Sequence, residues 1–156
     1  MDNPVAKGVA AMRLHRTLVV EKPLDTVFDF LSDFTTTVQW DPGTVTTVRL
    51  HGDGGIGTTY RNATRFLGKE TQLTYIVEEF ADRELIRFRG ENDTVTSVDT
   101  MTFRRVGSGT EVSYRAEFEF KGLSRLIAPL LKPALERLGN QAEAAMRTAL
   151  NRLEVD

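Results

Sequence analysis

The residues of this chain best suited to chemistry are a carboxylate and phenols that lie in strand-like segments. Asp99 belongs to TVTSVDTMTFRRV (94 to 106), where apolar and polar residues alternate. An apolar surrounding raises the pKa of such a carboxyl, so that it can serve as a general base near neutral pH. Tyr60, Tyr75 and Tyr114 occupy similar segments, and their hydroxyls can polarise a carbonyl or fix one ligand hydroxyl.

These residues also have a structural interpretation, which is the more frequent one for both kinds of side chain. Asp99 could be hydrogen-bonded to Thr, Tyr or Arg, or turned to solvent by a one-residue slip in strand register. The tyrosines could pack in the core with the hydroxyl at an edge, and Asn62 and Thr64 carry the same two alternatives. Trp40, which precedes a Pro-Gly turn, is either an aromatic lid over a ligand or a packing anchor for the turn.

The chain lacks the residues needed for thiol chemistry, metal binding and phosphate binding. The chain has no Cys, which excludes disulfides, thiolate nucleophiles and Cys-based metal sites, and its two His residues, His15 and His51, are far apart. The glycine-rich GDGGIG (52 to 57) lacks the Lys after its last Gly and the helix beyond that a phosphate-binding loop needs, and it continues into a strand. We interpret it as a hairpin loop that could flank a cavity mouth, and we expect neither a metal nor a cofactor.

Composition narrows the partners and the location. Lys plus Arg number 20 against 22 for Asp plus Glu, the formal charge is -2 and no basic tract is present, so we expect no nucleic-acid partner. No apolar run reaches the ~18 residues of a membrane span, and the N-terminus has no signal-peptide core, which predicts a cytoplasmic protein. The length predicts one domain, residues 13 to 156, after a loose tail at 1 to 12.

The elements that must position the candidate residues follow from hydrophobic periodicity. Residues 13 to 21 predict a first strand, and PLDTVFDFLSDF after it predicts a helix followed by a short helical turn that ends at Trp40. From Thr44 the period changes to two, and short links separate the strand-like segments, so we expect antiparallel neighbours. The six predicted strands are 44 to 52, 57 to 66, 71 to 80, 84 to 90, 94 to 106 and 110 to 120.

The C-terminal segment predicts one dominant helix. From Pro133 to Leu153, apolar residues recur at steps of three and four, which marks one buried face. Pro129 and Pro133 each remove an amide donor, so we expect a break, with Ser124 capping a short first segment. Burial within the domain is favoured for the leucine-rich junction over a dimer or membrane-touching patch. Its residues are Leu123, Leu126, Ile127, Leu130 and Leu131.

The strand registers place polar side chains inside the sheet. A two-residue turn at Gly107 and Ser108 would pair Phe103 with Val112, which turns Asp99 inward. Buried polar groups without partners cost about 1 to 3 kcal/mol each, so a mixed inner face favours a cavity that holds water or a ligand. The candidate ligand-binding residues are Trp40, Tyr60, Asn62, Thr64, Tyr75, Ser97, Asp99, Met101, Tyr114, Phe118, Leu138 and Met146.

Four segments carry a resemblance to a known family. They are EKPLDTVFDFLSDF with Trp40 after it, GDGGIGTTY, RRVGSGTEVSY and KGLSRLIAPLL. In this order they resemble the helix-grip domain of the polyketide cyclase/dehydratase and lipid-transport superfamily, also described as START-like or birch-pollen-allergen-like, over residues 13 to 153. The resemblance implies an α+β fold in which a seven-stranded antiparallel sheet wraps a long C-terminal helix, with two short helices after the first strand. It also implies a hydrophobic cavity, used by different members for sterols, lipids, hormones, polyketides or protein partners.

Three functional hypotheses follow. The first is binding of a small hydrophobic or amphipathic molecule, lipid-, sterol- or polyketide-like, between the sheet and the C-terminal helix. The second is a cyclase- or dehydratase-type enzyme that uses Asp99 as base and a Tyr as donor to the enolate oxygen. The third is an interaction module whose cavity is filled by side chains, and a homodimer is compatible with all three hypotheses.

Overall fold

Seven antiparallel strands form one sheet in the computed structural model, which describes residues 11–155. Along the sheet the strands follow the order β1, β7, β6, β5, β4, β3, β2, so the first and last strands are neighbours. All six strands predicted from Thr44 onward are present, and β6 pairs Phe103 with Val112 as expected. The strands are β1 (Ala11–Val20), β2 (Thr44–His51), β3 (Thr59–Phe66), β4 (Lys69–Ala81), β5 (Leu85–Glu91), β6 (Val95–Val106) and β7 (Gly109–Phe120).

The first strand begins earlier than the sequence indicated. Ala11 and Met12, expected in a loose tail, pair in β1 with Glu119 and Phe118 of β7. The rest of that predicted tail lies outside the described residues. The correction has a physical reason, because the long last strand offers pairing partners to residues whose own composition carries no strand signal.

Two short helices follow β1, as predicted. Helix α1 (Leu24–Ser32) begins after Pro23 and buries Val27, Phe28 and Leu31, and a 3-10 turn then leads into α2 (Thr37–Trp40). Spacings of one, three and four residues put these apolar side chains on one helix face, which explains their common burial.

Helix α3 (Ser124–Asn151) is continuous, so the predicted break is wrong. Pro129 and Pro133 both lie inside the helix, and Ser124 is not a capping residue, since the helix has no side-chain cap. Because each proline lacks an amide hydrogen, the carbonyls one turn earlier lose a helical partner, yet the helical path persists. Within the described part of the chain, no helix has the length and apolar character to cross a bilayer.

Polar contacts hold α3 against β1. Arg147 donates to the carbonyl of Val19 at 3.0 Å, and the Arg16 guanidinium donates to Asn140 Oδ1 at 2.8 Å. The register shifts in β2 and β4 mark bulges, which increase the bend of a sheet. The helix therefore crosses the inner face of a curved sheet, which is the helix-grip arrangement.

The inner face of the sheet is divided into a packed half and a hollow half. In the packed half, Met146 and Leu150 of α3 join Phe28 of α1 and Met101 of β6 in one buried cluster. Side chains about one to six turns earlier on the same α3 stripe line the hollow half. They are Ser124, Ile127, Leu131, Leu135, Leu138 and Ala142.

The leucine-rich junction is largely exposed, which corrects the expected burial. Leu123 is 83%, Leu126 77% and Leu130 78% exposed, whereas Ile127 and Leu131 reach the hollow half from the same turns of α3. The helix period explains the split, because residues crowded into two turns cannot all face one side of a helix. A homodimer through this surface stays a prediction.

The packed half should supply the stability that holds α3 in place. We expect Met146→Ala to lower the free energy of unfolding by about 2 to 5 kcal/mol, because Met146 is 1% exposed and its removal leaves a cavity in a packed cluster. Urea unfolding followed by circular dichroism measures this change. Thr148→Ala on the exposed side of the same helix is the control, with a change of about 0.5 kcal/mol or less. A Met146→Ala variant as stable as the control would contradict the assignment of this half as the packed one.

Candidate functional site

The hollow half of the inner face is a cavity of about 320 Å³ beneath the first turns of α3. This lies at the small end of the ~300–1,000 Å³ of ligand pockets. Its mouth is formed by the β3–β4 and β5–β6 turns and the start of α3, where Phe66, Lys69, Thr94 and Ser124 line it. A space of this size between two apolar layers can hold a small molecule.

The structure brings most of the predicted site residues to this cavity. Residues on β3, β4, β6 and β7 alternate between cavity and outer face, as the strand period requires. The predicted residues that line the cavity are Trp40, Asn62, Thr64, Tyr75, Ser97, Asp99, Tyr114, Phe118 and Leu138.

Three predicted site residues lie elsewhere. Tyr60, Met101 and Met146 face inward but belong to the packed cluster, each at most 1% exposed. Each is one repeat further along its strand or helix than a cavity residue, beyond the point where α3 meets the sheet closely. The prediction was correct about the inner face of the sheet and wrong about the position along the strand or helix.

A group of polar side chains lies at the inner end of the cavity, where the hollow meets the packed half. Asp99 is 7% exposed, and its Oδ1 accepts a hydrogen bond from the Ser97 hydroxyl at 3.3 Å. Burial raises the pKa of Asp99 to about 7, the negative charge of Asp41 adds to the rise, and the Ser97 hydrogen bond opposes it. The hydrogen-bonding partner is thus Ser97, and not the Thr, Tyr or Arg that the structural interpretation required. Asp99 can therefore exchange a proton near neutral pH.

Asp41 is a cavity residue that the sequence analysis missed. It follows Trp40 in a turn, where Thr44 Oγ1 donates to its Oδ2 at 2.8 Å and the Gly43 amide donates to its Oδ1 at 3.0 Å. Desolvation raises the pKa of Asp41, and these two hydrogen bonds oppose the rise. The signal available in the sequence was a turn-forming Asp before Pro42 and Gly43, which indicates a loop and not its nearness to Asp99.

Asn62 connects the loop residues to the sheet. Its Nδ2 donates to Thr47 Oγ1 at 2.9 Å and to Thr44 Oγ1 at 3.3 Å, and Thr47 Oγ1 lies 2.6 Å from Thr37 Oγ1. These bonds satisfy polar groups that would otherwise be buried at a cost. Asn62 thus has structural partners in the cavity wall, and its two interpretations are compatible with each other.

Two phenols stand beside Asp99. Burial raises the pKa of Tyr75 and of Tyr114 well above the ordinary phenol value, and the nearby negative charge of Asp99 raises both further. Both hydroxyls therefore keep their protons at neutral pH and can act as donors. Gly90 faces the Tyr75 ring across β4 and β5, and a Cβ there would lie 2.5 Å from a ring carbon, so the glycine makes room for the ring.

Trp40 forms part of the cavity wall. It is 2% exposed, and its ring meets that of Tyr114 edge to face, with centroids 5.7 Å apart. Both interpretations offered for Trp40 therefore apply to one position, since it anchors the turn and faces the hollow.

The glycine-rich residues 52–57 do not line the cavity. The β2–β3 turn that contains them is at the packed end of the sheet, so the expectation that this loop flanks the mouth is wrong.

The apolar walls include residues outside the predicted set of ligand-binding residues. Leu14, Phe34, Leu73 and Ala116 line the cavity together with the α3 stripe. Strand parity turns Leu73 and Ala116 inward, as the sequence predicts, whereas Phe34 enters from the turn between the two short helices. Among residues 11–155, no group of three or more His, Asp or Glu lies close enough to hold a metal ion.

Comparison with solved structures places this architecture among known folds. The Zhui aromatase/cyclase from Streptomyces sp. R1128 aligns with a TM-score of 0.77 at 16% identity, over 91% of this chain and 94% of that one. A START superfamily protein from Mycobacterium smegmatis gives a TM-score of 0.74 at 16% identity, over 91% and 99%. Ara h 8.0201 gives 0.59 at 12% identity, over 88% and 99%. At these identities the similarity is one of fold.

The fold and its cavity define a START-like helix-grip domain. Residues 11–155 match the family described as polyketide cyclase / dehydrase and lipid transport, and the chain belongs to that family. No curated protein sequence matches the chain. The resemblance inferred from the sequence is thereby confirmed, and the filled cavity of the third functional hypothesis is wrong.

The raised pKa of Asp99 makes stability depend on pH. The folded carboxyl keeps its proton up to about pH 7, whereas the unfolded one loses it near its ordinary value of 3.8, so the native state binds more protons between these limits. The contribution of Asp99 to stability must therefore fall as pH rises from about 4 to 7. We expect Asp99→Asn to flatten this fall and to raise the free energy of unfolding at pH 7 by about 1 to 3 kcal/mol.

Urea unfolding at several pH values measures both effects. Asp93→Asn is the matched control, because Asp93 is exposed in the β5–β6 turn and its replacement should change stability by about 0.5 kcal/mol or less. An Asp99→Asn variant that keeps the wild-type slope between pH 4 and 7 would show that Asp99 ionises freely in the native state.

Proposed function

We propose that this protein binds a small, mainly apolar molecule in the cavity, oriented by the polar side chains at its inner end. The observation that carries the proposal is the Asp99 carboxyl, which lies in an apolar hollow with one long hydrogen bond from Ser97. An ionised carboxylate in such a place lowers stability, and residues of this kind concentrate at functional sites. A packed core without function would have little reason to keep it.

The wall composition supports a mainly apolar ligand. The α3 face of the cavity is Ile127, Leu131, Leu135, Leu138 and Ala142, and the sheet adds aromatic rings and aliphatic side chains. Burial of apolar surface contributes roughly 25 cal/mol per Å², so the body of the ligand supplies affinity while the polar end sets orientation. The family description, which spans cyclases and lipid transport, is compatible with such a ligand.

A bound molecule should remain with the protein on purification. We expect native mass spectrometry of protein from its own host to show added masses of a few hundred daltons, and organic extraction to release the same molecules. Ala142→Leu should lose them, because Ala142 lines the cavity and the larger side chain enters it.

Ala144→Leu is the matched control, since Ala144 is on the exposed side of the same helix. This variant should retain the added masses in wild-type proportion. Equal retention by the Ala142→Leu and Ala144→Leu variants would place the molecules outside the cavity. The proposal would be contradicted if the purified protein carried no added mass and if no compound in a panel of lipids and polyketides changed its melting temperature.

A second function, proton abstraction next to a ketone, is favoured by one specific arrangement. Asp99 has a pKa of about 7, and the protonated phenols Tyr75 and Tyr114 are close enough for their pKa values to respond to its charge. In such a step the C–H electron pair moves toward the carbonyl oxygen, the proton passes to the Asp99 carboxylate, and a phenol donates to the enolate oxygen. This is the first half of an aldol-type cyclisation or of a dehydration.

Hydrogen exchange on a small ketone tests this second function. We expect the protein to accelerate exchange of the C1 hydrogens of 2-tetralone in D2O, followed by proton NMR, and Asp99→Asn to lower the acceleration by about 100-fold or more. Since that substitution is expected to raise stability, the loss would not come from unfolding. The control variant Asp93→Asn should accelerate exchange of the 2-tetralone hydrogens as much as the wild-type protein does. Full activity in Asp99→Asn would remove Asp99 as the base.

A further inference from the structure

The charged residues of the cavity wall are unevenly distributed. Asp41 and Asp99 lie at its inner end, and the wall has one basic residue among the described lining residues, Lys69, which is exposed at the mouth. The remaining titratable groups close to Asp99 are the phenols of Tyr75 and Tyr114. Arg16 on the inner face of β1 is not in the cavity lining, and Asn140 and Glu143 of α3 bind its guanidinium. Within the described lining, no cation at the inner end offsets the two carboxyl groups.

An anion would be repelled at the inner end. A carboxylate or phosphate brought beside Asp41 and Asp99 meets like charge in a medium where water screens poorly. A cation there would instead supply the missing counter-charge and hydrogen-bond donors to the Asp99 oxygen that Ser97 leaves free. The inner end of the cavity is thus selective by sign of charge.

The rings around the carboxyls favour the same kind of group. Trp40, Tyr75, Tyr114 and Phe34 line the cavity, and the Phe34 and Tyr75 ring centroids are 4.6 Å apart. Aromatic faces attract ammonium groups, more strongly where water is excluded. An aromatic wall next to these two carboxyls is a suitable surrounding for an alkylammonium group, and an apolar body then extends under α3.

We infer that the ligand of this cavity is a hydrophobic amine whose ammonium group pairs with Asp99 and Asp41 between the aromatic rings. This inference rests on the proposed binding function and specifies its ligand class. The main competing class is a neutral ketone or alcohol that accepts a hydrogen bond from protonated Asp99. The two classes respond oppositely to pH, because an ammonium requires the ionised carboxylate and a neutral acceptor requires the protonated one.

A matched set of probes separates these classes. Decylamine, decanol and decanoate share one apolar tail, and Trp40 is the single Trp of the chain, so its fluorescence reports directly on the cavity wall. Each probe is titrated at pH 6, 7 and 8, below its aggregation concentration. We expect decylamine to bind about tenfold or more tighter than decanol at pH 8, and decanoate to bind weakest.

The dependence on pH and on Asp99 completes the test. The affinity for decylamine should rise by up to about tenfold from pH 6 to 8, since only the ionised fraction of Asp99 is competent. Asp99→Asn should remove this rise and lower decylamine affinity about tenfold at pH 8, while decanol affinity changes by about twofold or less. Asp93→Asn should behave as wild type, and Ala142→Leu should weaken both probes.

The outcomes distinguish this inference from the function it rests on. Decanol binding equal to or tighter than decylamine, with affinity that falls as pH rises, would overturn the amine while leaving the binding function in place. Tightest binding of decanoate, lost in Lys69→Met, would overturn it in favour of an anion at the mouth. Failure of all three probes to change Trp40 fluorescence would count against both the amine and the binding function.

Discussion

The packing of Met146 and Leu150 into the buried cluster of α1 and the sheet is the interaction on which the rest of the structure depends. It fixes the C-terminal half of α3 close to the inner face, and the contacts of Arg16 and Arg147 with α3 and β1 fix its direction. The first turns of the helix must then continue along that line over a bent sheet. The hollow beneath them is a geometric consequence of where the helix is anchored, so the densely packed contacts and the cavity lining belong to different halves of one helix.

This division explains why a costly polar group can be kept. Asp99 lies where the hollow meets the packed half, with 7% of its surface exposed and a second carboxyl near enough to raise its pKa. Its ionisation opposes folding at neutral pH, and the cluster around Phe28, Met101 and Met146 compensates for it. The same boundary holds Tyr75, Tyr114 and Asn62, so the rigid part of the protein positions the polar end of the cavity.

The sequence predicted the fold and the faces of the strands well, because both follow from short-range periodicity. Alternation, with the register set by the turn at Gly107 and Ser108, turned Ser97, Asp99 and Tyr114 inward. Periodicity does not show which inward residues of a strand line the cavity and which lie in the packed cluster, because that depends on where α3 contacts the sheet. Tyr60, Met101 and Met146 were therefore predicted in the cavity although they belong to the packed cluster. Asp41 was missed for a related reason, as its approach to Asp99 is created by tertiary structure. The prolines of α3 led to the wrong prediction of a helix break, because the helix continues through both of them.

Those prolines have a consequence for the part of α3 that covers the cavity. Pro129 and Pro133 leave the carbonyls of Arg125 and Pro129 without the amide partners that hold a regular helix together, and both positions fall in the turns that roof the hollow. Leu123, Leu126 and Leu130, largely exposed, add little packing there. The free energy needed to lift this part of the roof is accordingly smaller than for the turns around Met146. The two ends of the same helix thus differ in tertiary packing, which is sparse in the turns before Pro133 and dense around Met146 and Leu150.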